Sequence, residues 1–159
     1  MDTSNERIGT HHWCKQGIAG RGVLIDYATW AAQQTPPIKY STFSTHAIPL
    51  STLQQILKET KTELRRGDIL FVRTAVMQEW DTWTEEQKKS YAAQEEPTHA
   101  GVEASLELLE WIWDNGVSAV AGDAISWEVF PTPGEVSCHE YMLAGWGMPI
   151  GEFLDFVVR

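Results

Sequence analysis

Short apolar runs alternate with amphipathic stretches along this chain. Gly22-Val23-Leu24-Ile25-Asp26-Tyr27, introduced by Gly20-Arg21, reads as a buried strand. Ala28 to Gln34 has helical character and stops at Pro36-Pro37, and Ile38 to Pro49, rich in Ser, Thr and Pro, reads as a loop. Ser51-Thr52-Leu53-Gln54 has the capping-box pattern, and Leu53, Ile56, Leu57 and Leu64 keep helical spacing as far as Arg65. Arg66-Gly67-Asp68 turns the chain into a second strand, Ile69 to Thr74. A second capping box, Thr84-Glu85-Glu86-Gln87, opens a polar helix that breaks near Pro97. The strongest helical pattern runs from Val102 to Asp114, with Val102, Leu106, Leu109, Ile112 and Trp113 on one face and Asn115-Gly116 as the stop. Val117 to Ala121 follows as a third strand ending at Gly122-Asp123; Cys138 to Trp146 suits a short helix, and Ile150 to Val158 is extended or mixed. Helices alternating with buried strands predict an α/β domain. The connections do not repeat regularly enough to argue a doubly wound sheet.

Composition adds limits rather than detail. A chain of 159 residues has room for one domain, 1–159, with residues 1–10 expected to be flexible. Its net charge of -10, from 12 Lys+Arg against 22 Asp+Glu, repels phosphate backbones and anionic lipid. Neither nucleic acid nor membrane is expected as a partner. No apolar run approaches the ~20 residues of a membrane span, and the first residues lack the order of a signal peptide, so a cytoplasmic location is expected. Cys14 and Cys138 fit no metal or redox spacing and read as reduced, buried thiols. His139 follows Cys138 directly, but adjacent side chains usually point different ways, so the spacing argues weakly for a Cys-His pair.

Three polar clusters fall where elements end, the usual place for function. His99-Ala100-Gly101-Val102-Glu103 precedes the long helix, although a surface His in a loop would look the same. Asp123 ends the third strand, where an Asp often does no more than cap a turn. His139 and Glu152 flank Gly145-Trp146-Gly147-Met148-Pro149, and a turn there would let them share a proton as acid-base catalysis requires. Most of the eight Trp residues suit a core, but Trp127 and Trp146 flank these clusters and are candidates for walling a flat or apolar substrate.

The order of these segments resembles the cyclase-like family that includes kynurenine formamidase, in its larger fungal and bacterial branch. The residues that carry the resemblance are Gly20 to Tyr27, Phe43-Ser44-Thr45-His46-Ala47-Ile48, Arg66 to Thr74, His99 to Glu103, Trp113-Asp114-Asn115, Ala119 to Ala124, and Trp146 to Glu152. It implies a swivelling β/β/α fold, dimeric or tetrameric, whose members bind zinc or manganese and hydrolyse amides or lactones of small acids. Family members hold the metal mainly through a His-x-Gly-Thr-His-x-Asp-x-Pro-x-His segment. This sequence has none, so the domain is expected to be shortened at its N-terminus; Gly9-Thr10-His11 imitates three letters, but no Asp follows. His139 and Glu152 match the family's distal His and Glu, too few to hold a zinc that takes three protein ligands. Ala75 stands where the larger branch tends to have Gly.

The expectation that follows is a small-molecule enzyme with neither metal nor cofactor, carrying out an acid-base cyclisation, isomerisation or dehydration in a natural-product pathway. His139 is the expected acid or base, with Glu152 orienting it or sharing the proton. Asp123 and His99 are further catalytic candidates, and His46, Trp127 and Trp146 are candidates for substrate contact. Two alternatives stand beside it: a metal-dependent hydrolase completed by ligands from another chain, and a non-catalytic binding or partner subunit. A homodimer or higher homo-oligomer is expected, because strands 23–27 and 69–74 would lack the cover they have in longer relatives.

Overall fold

The computed structural model describes residues 10–156; the expectation of flexibility at 1–10 falls outside them except at Thr10. Its centre is a four-stranded, all-parallel sheet in the order β1 (Gly22–Asp26), β3 (Ile69–Arg73), β5 (Ala119–Gly122), β6 (Ile150–Gly151). Register is fixed by pairs such as Val23 with Leu70, Leu70 with Val120, and Val120 with Ile150. A second parallel pair joins β2 (Ala47–Ile48) to β4 (Gly101–Val102). Helix α1 (Thr10–Gln16) precedes β1, and α2 (Tyr27–Gln33) follows it. The remaining helices are α3 (Leu50–Glu59), α4 (Val76–Thr82), α5 (Glu85–Ala92) and α6 (Leu106–Asp114), with a π-helical turn at Glu140–Trp146. The chain is therefore α/β, as its pattern predicts, and the structure makes both sheets parallel.

Alternation along the strands decides the core. Val23 and Ile25 of β1 and Leu70 and Val72 of β3 point to one face and are buried together with Leu53, Ile56 and Leu57 of α3 and Leu108, Leu109 and Ile112 of α6. Among the described residues, no helix is long and apolar enough to cross a membrane.

Several boundaries differ from the pattern's expectation. The capping box at Thr84 forms, with Gln87 N–H to Thr84 Oγ1 at 3.3 Å and Thr84 N–H to Gln87 Oε1 at 2.8 Å. The one at Ser51 does not: Pro49 is the cap, so Ser51 already lies in the first turn, and α3 ends at Glu59 instead of Arg65. Helix α6 begins after Ser105, whose hydroxyl caps Leu108 N–H at 3.1 Å; Val102 belongs to β4. The segment read as a loop, 38–49, contains β2, and α4 has no counterpart in the pattern. Cys138 is buried as expected, but Cys14 is exposed.

Candidate active site

Parallel α/β sheets place ligands outside the carboxyl ends of their strands, and the polar groups gather there. Glu152 follows β6 directly, and Asp123 follows β5. Glu128 lies further along the loop that leaves β5 and is buried despite its charge. Its carboxylate accepts Cys138 N–H at 2.6 Å, Ser137 Oγ–H at 3.2 Å and His139 N–H at 3.3 Å. The same carboxylate meets His139 Nδ1 at 2.7 Å, while His139 Nε2 meets Glu152 Oε1 at 2.9 Å. The imidazole thus bridges two carboxylates, one buried at 5% exposure and one reaching solvent at 33%.

Burial by itself lowers the proton affinity of His139, but hydrogen bonds and charge from Glu128, then from Glu152, outweigh it and raise the pKa above 6.5. The folded value therefore exceeds the unfolded one. Stabilisation from this group is complete below about pH 6.5 and is lost as pH rises through the raised value. Melting temperature should fall over that interval in the native protein, and Glu128→Gln should weaken the dependence. Beside the imidazole, Cys138 is fully buried, and burial followed by the Glu128 charge pushes its thiol far above the ordinary range. It is not available as a thiolate nucleophile.

The other sequence candidates have partners of their own. Asp123 is buried with both oxygens committed: it accepts Thr74 N–H at 2.6 Å, Thr74 Oγ1–H at 2.9 Å and Ala75 N–H at 2.7 Å. It clamps the turn in which Ala75 takes a φ of 69°, the left-handed region that explains why Gly would suit this position. Asp123→Ala orphans these donors and should cost about 1–3 kcal/mol, measurable by urea denaturation. His99 is buried, stacks on Phe130 with ring centroids 5.4 Å apart, and meets Ser126 Oγ through Nε2 at 2.6 Å. His46 meets Tyr27 OH through Nε2 at 2.6 Å and stacks on Tyr40 at 4.6 Å. Burial lowers the pKa of both histidines.

Trp127 is 1% exposed, with φ 52° and an indole N–H that has no partner; it belongs to the core behind Glu128. Trp146 packs on Trp113 at 5.1 Å and lines a groove of about 490 Å³ with Arg66, Ser118 and Pro149. Those residues precede β3, β5 and β6, so that groove lies at the amino edge of the sheet, away from Glu152.

Two features were missed in the sequence. One is Glu128, whose signal was a lone charge inside the apolar stretch Ala124 to Phe130. The other is an apolar cavity of about 440 Å³ at the carboxyl edge, lined by Phe43, Val76, Trp80, Tyr91, Ile125 and Phe153 among others.

A parallel sheet carrying an acid-base group and an apolar cavity at its carboxyl edge is a layout suited to small ligands. The model of the Cyclase family matches residues 3–129, and the chain belongs to that family. The match includes Glu128 and ends before His139 and Glu152. A crystal structure of a novel cyclase is similar with a TM-score of 0.68 and 24% identity, over 88% of this chain and 42% of that one. Isatin hydrolase A from Ralstonia solanacearum is similar with a TM-score of 0.58 and 16% identity, over 86% of this chain and 48% of its own. These two likenesses are of fold, and this chain spans less than half the length of either relative. No curated protein matches it.

The resemblance to kynurenine formamidase implies a zinc or manganese ion, so the donor set matters. Among the described residues, no group of three or more His, Cys, Asp or Glu is placed to hold one. His139 Nε2 and Glu152 supply two donors where a catalytic zinc takes three from protein. The described residues do not fit such a centre.

Proposed function

We propose that this cyclase-family chain is a small-molecule enzyme that moves protons through His139 and Glu152, in a cyclisation, isomerisation or dehydration. The observation that supports it most is the imidazole held at Nδ1 by buried Glu128 and at Nε2 by Glu152. Glu128 keeps the Nδ1 proton and fixes the ring plane, as a carboxylate does for an acid-base histidine. The Nε2 edge meets solvent, where substrate can enter. In a dehydration, Glu152 takes a proton from carbon, the electron pair forms the double bond, and His139 Nε2–H protonates the departing hydroxyl as water. Proton transfer from Glu152 to His139 across 2.9 Å then restores both groups.

Solvent exchange tests this reading without a known substrate. The purified protein, incubated in D₂O with a panel of β-hydroxy carbonyl compounds, lactones and enolisable ketones, should place deuterium at the carbon next to the carbonyl of at least one, read by NMR. Absence of exchange across the panel, or exchange undiminished in His139→Ala, counts against it. A second reading is a metal-dependent hydrolase completed by another chain, favoured by the 2.9 Å separation of Nε2 and Glu152 Oε1 at a partly exposed edge. About one tightly held zinc or manganese per chain, its removal abolishing turnover, would decide for that reading.

A homo-oligomer is part of the proposal. Leu24 of β1 is 49% exposed beside half-buried Phe71, on the face opposite the core. Parallel sheets normally bury both faces, and a second copy would cover this one. Light scattering should give at least twice the 17.9 kDa chain mass; a monomer unchanged on dilution would exclude it.

A further inference from the structure

The carboxyl-edge cavity is not explained by proton transfer alone. Val76 follows β3, Ile125 follows β5 and Phe153 follows β6, so three adjacent strands each send the next segment into its wall. Phe43, Met77, Trp80, Tyr91 and Ala92 continue the wall, and Asp155 completes it. Phe43 lies 5.7 Å from Trp80, tilted at 40°, and 4.9 Å from Tyr91, at 73°, with Trp80 and Tyr91 6.5 Å apart at 75°. Rings at these separations offer both faces and edges, which suits a planar apolar guest.

The link to the acid-base group is covalent. Glu152 and Phe153 are neighbours in sequence, and Phe153 takes a φ of 56°, costly for a bulky residue. Two hydrogen bonds hold that bend: Phe153 N–H to Ala124 O at 3.2 Å and Leu154 N–H to Gly122 O at 3.0 Å. Pinned to the end of β5, the chain directs Glu152 to His139 and Phe153 to the cavity.

We propose that this cavity is the substrate pocket and that it takes a planar fused-ring compound without negative charge, turning away carboxylates. Its volume, about 440 Å³, lies within the range of small-molecule sites and admits about two or three fused rings. None of the described residues lining it is Lys, Arg or His and one is Asp155, so an anion inside would lose water without gaining a counterion. Lys88, over the Trp80 ring at 5.4 Å, is not among the lining residues and pairs with Glu85 at 3.4 Å. The assignment of this pocket as a substrate site rests on the proton-transfer reading; its ligand preference does not.

Titration of the full chain with 2-naphthol and 2-naphthoate, followed by calorimetry or saturation-transfer NMR, tests the preference. The phenol should bind at least tenfold more tightly than the carboxylate. Ala92→Trp, which fills the cavity from the end of α5, should weaken naphthol binding at least tenfold with an unchanged circular dichroism spectrum. Met77→Trp does the same from α4 should the first variant misfold. His139→Ala should leave naphthol affinity within twofold, which separates this pocket from the fate of the acid-base reading. Equal binding of the carboxylate, no binding of naphthol, or unchanged affinity in the folded, filled variant would overturn the proposal.

Discussion

His139→Ala should lower turnover by roughly 10²–10⁴-fold, the range lost when a positioned acid-base side chain is removed. Glu152→Gln should fall in the same range, because the amide can neither take the proton from carbon nor pass it on to His139. The two losses should not add. Both groups serve one transfer across 2.9 Å, and removal of either stops it. His11→Ala and His12→Ala are the controls: both lie on α1, a helix with no buried residue, and turnover should stay nearly intact. The pH profile carries a separate signature. A step that needs the imidazolium keeps its rate above pH 6.5, because the pKa of His139 is raised, and declines only beyond that raised value. In Glu128→Gln the charged hydrogen-bond partner at Nδ1 is lost, so the decline should move to lower pH. Damage centred on His11 and His12 would instead place the chemistry at the N-terminus.

The elements legible in the sequence are those whose local signal and tertiary role agree. Strands β1 and β3 read correctly because an apolar run bounded by Gly-containing turns can do little in a small domain except enter a sheet. Helix α5 read correctly because its capping box is a local device. Val102 misled because it lies in phase with the stripe of α6, while its backbone is used by β4, paired with Ile48. A two-residue strand has no period to detect. In the site, His139 and Glu152 stood out through the turn between them and the family resemblance. Glu128 did not, since nothing local says that a charge in a loop will be buried under three N–H groups and a hydroxyl. The aromatic cavity was equally hidden, because Phe43, Trp80 and Tyr91 come from separate segments and meet only in the fold.

Gly101→Ala should be the most damaging Gly-to-Ala change among the described residues. A Cβ built at Gly101 would fall 2.3 Å from the carbonyl carbon of Glu128, 2.5 Å from its oxygen and 2.6 Å from Val129 N. All three are backbone atoms and cannot rotate away. Gly101 N–H is itself tied to His46 O at 3.2 Å, and its chain neighbours Ala100 and Val102 are buried, so β4 cannot yield either. The segment 128–129 must then move, and Glu128 is the residue that grips Nδ1 of His139. Overpacking of this kind costs about 3 kcal/mol or more when backbone must shift, which lowers Tm by about 6–12 °C for a domain of this size. Activity should drop further than the folded fraction does, because the chains that still fold carry a displaced Glu128. Gly134→Ala is the matched control, with nothing within 4 Å of its Cβ, and should leave both Tm and turnover unchanged. Calorimetry of the two variants beside the native protein measures the difference, and a Gly101→Ala protein melting with the native one would show that the 101–128 contact is looser than its distances state.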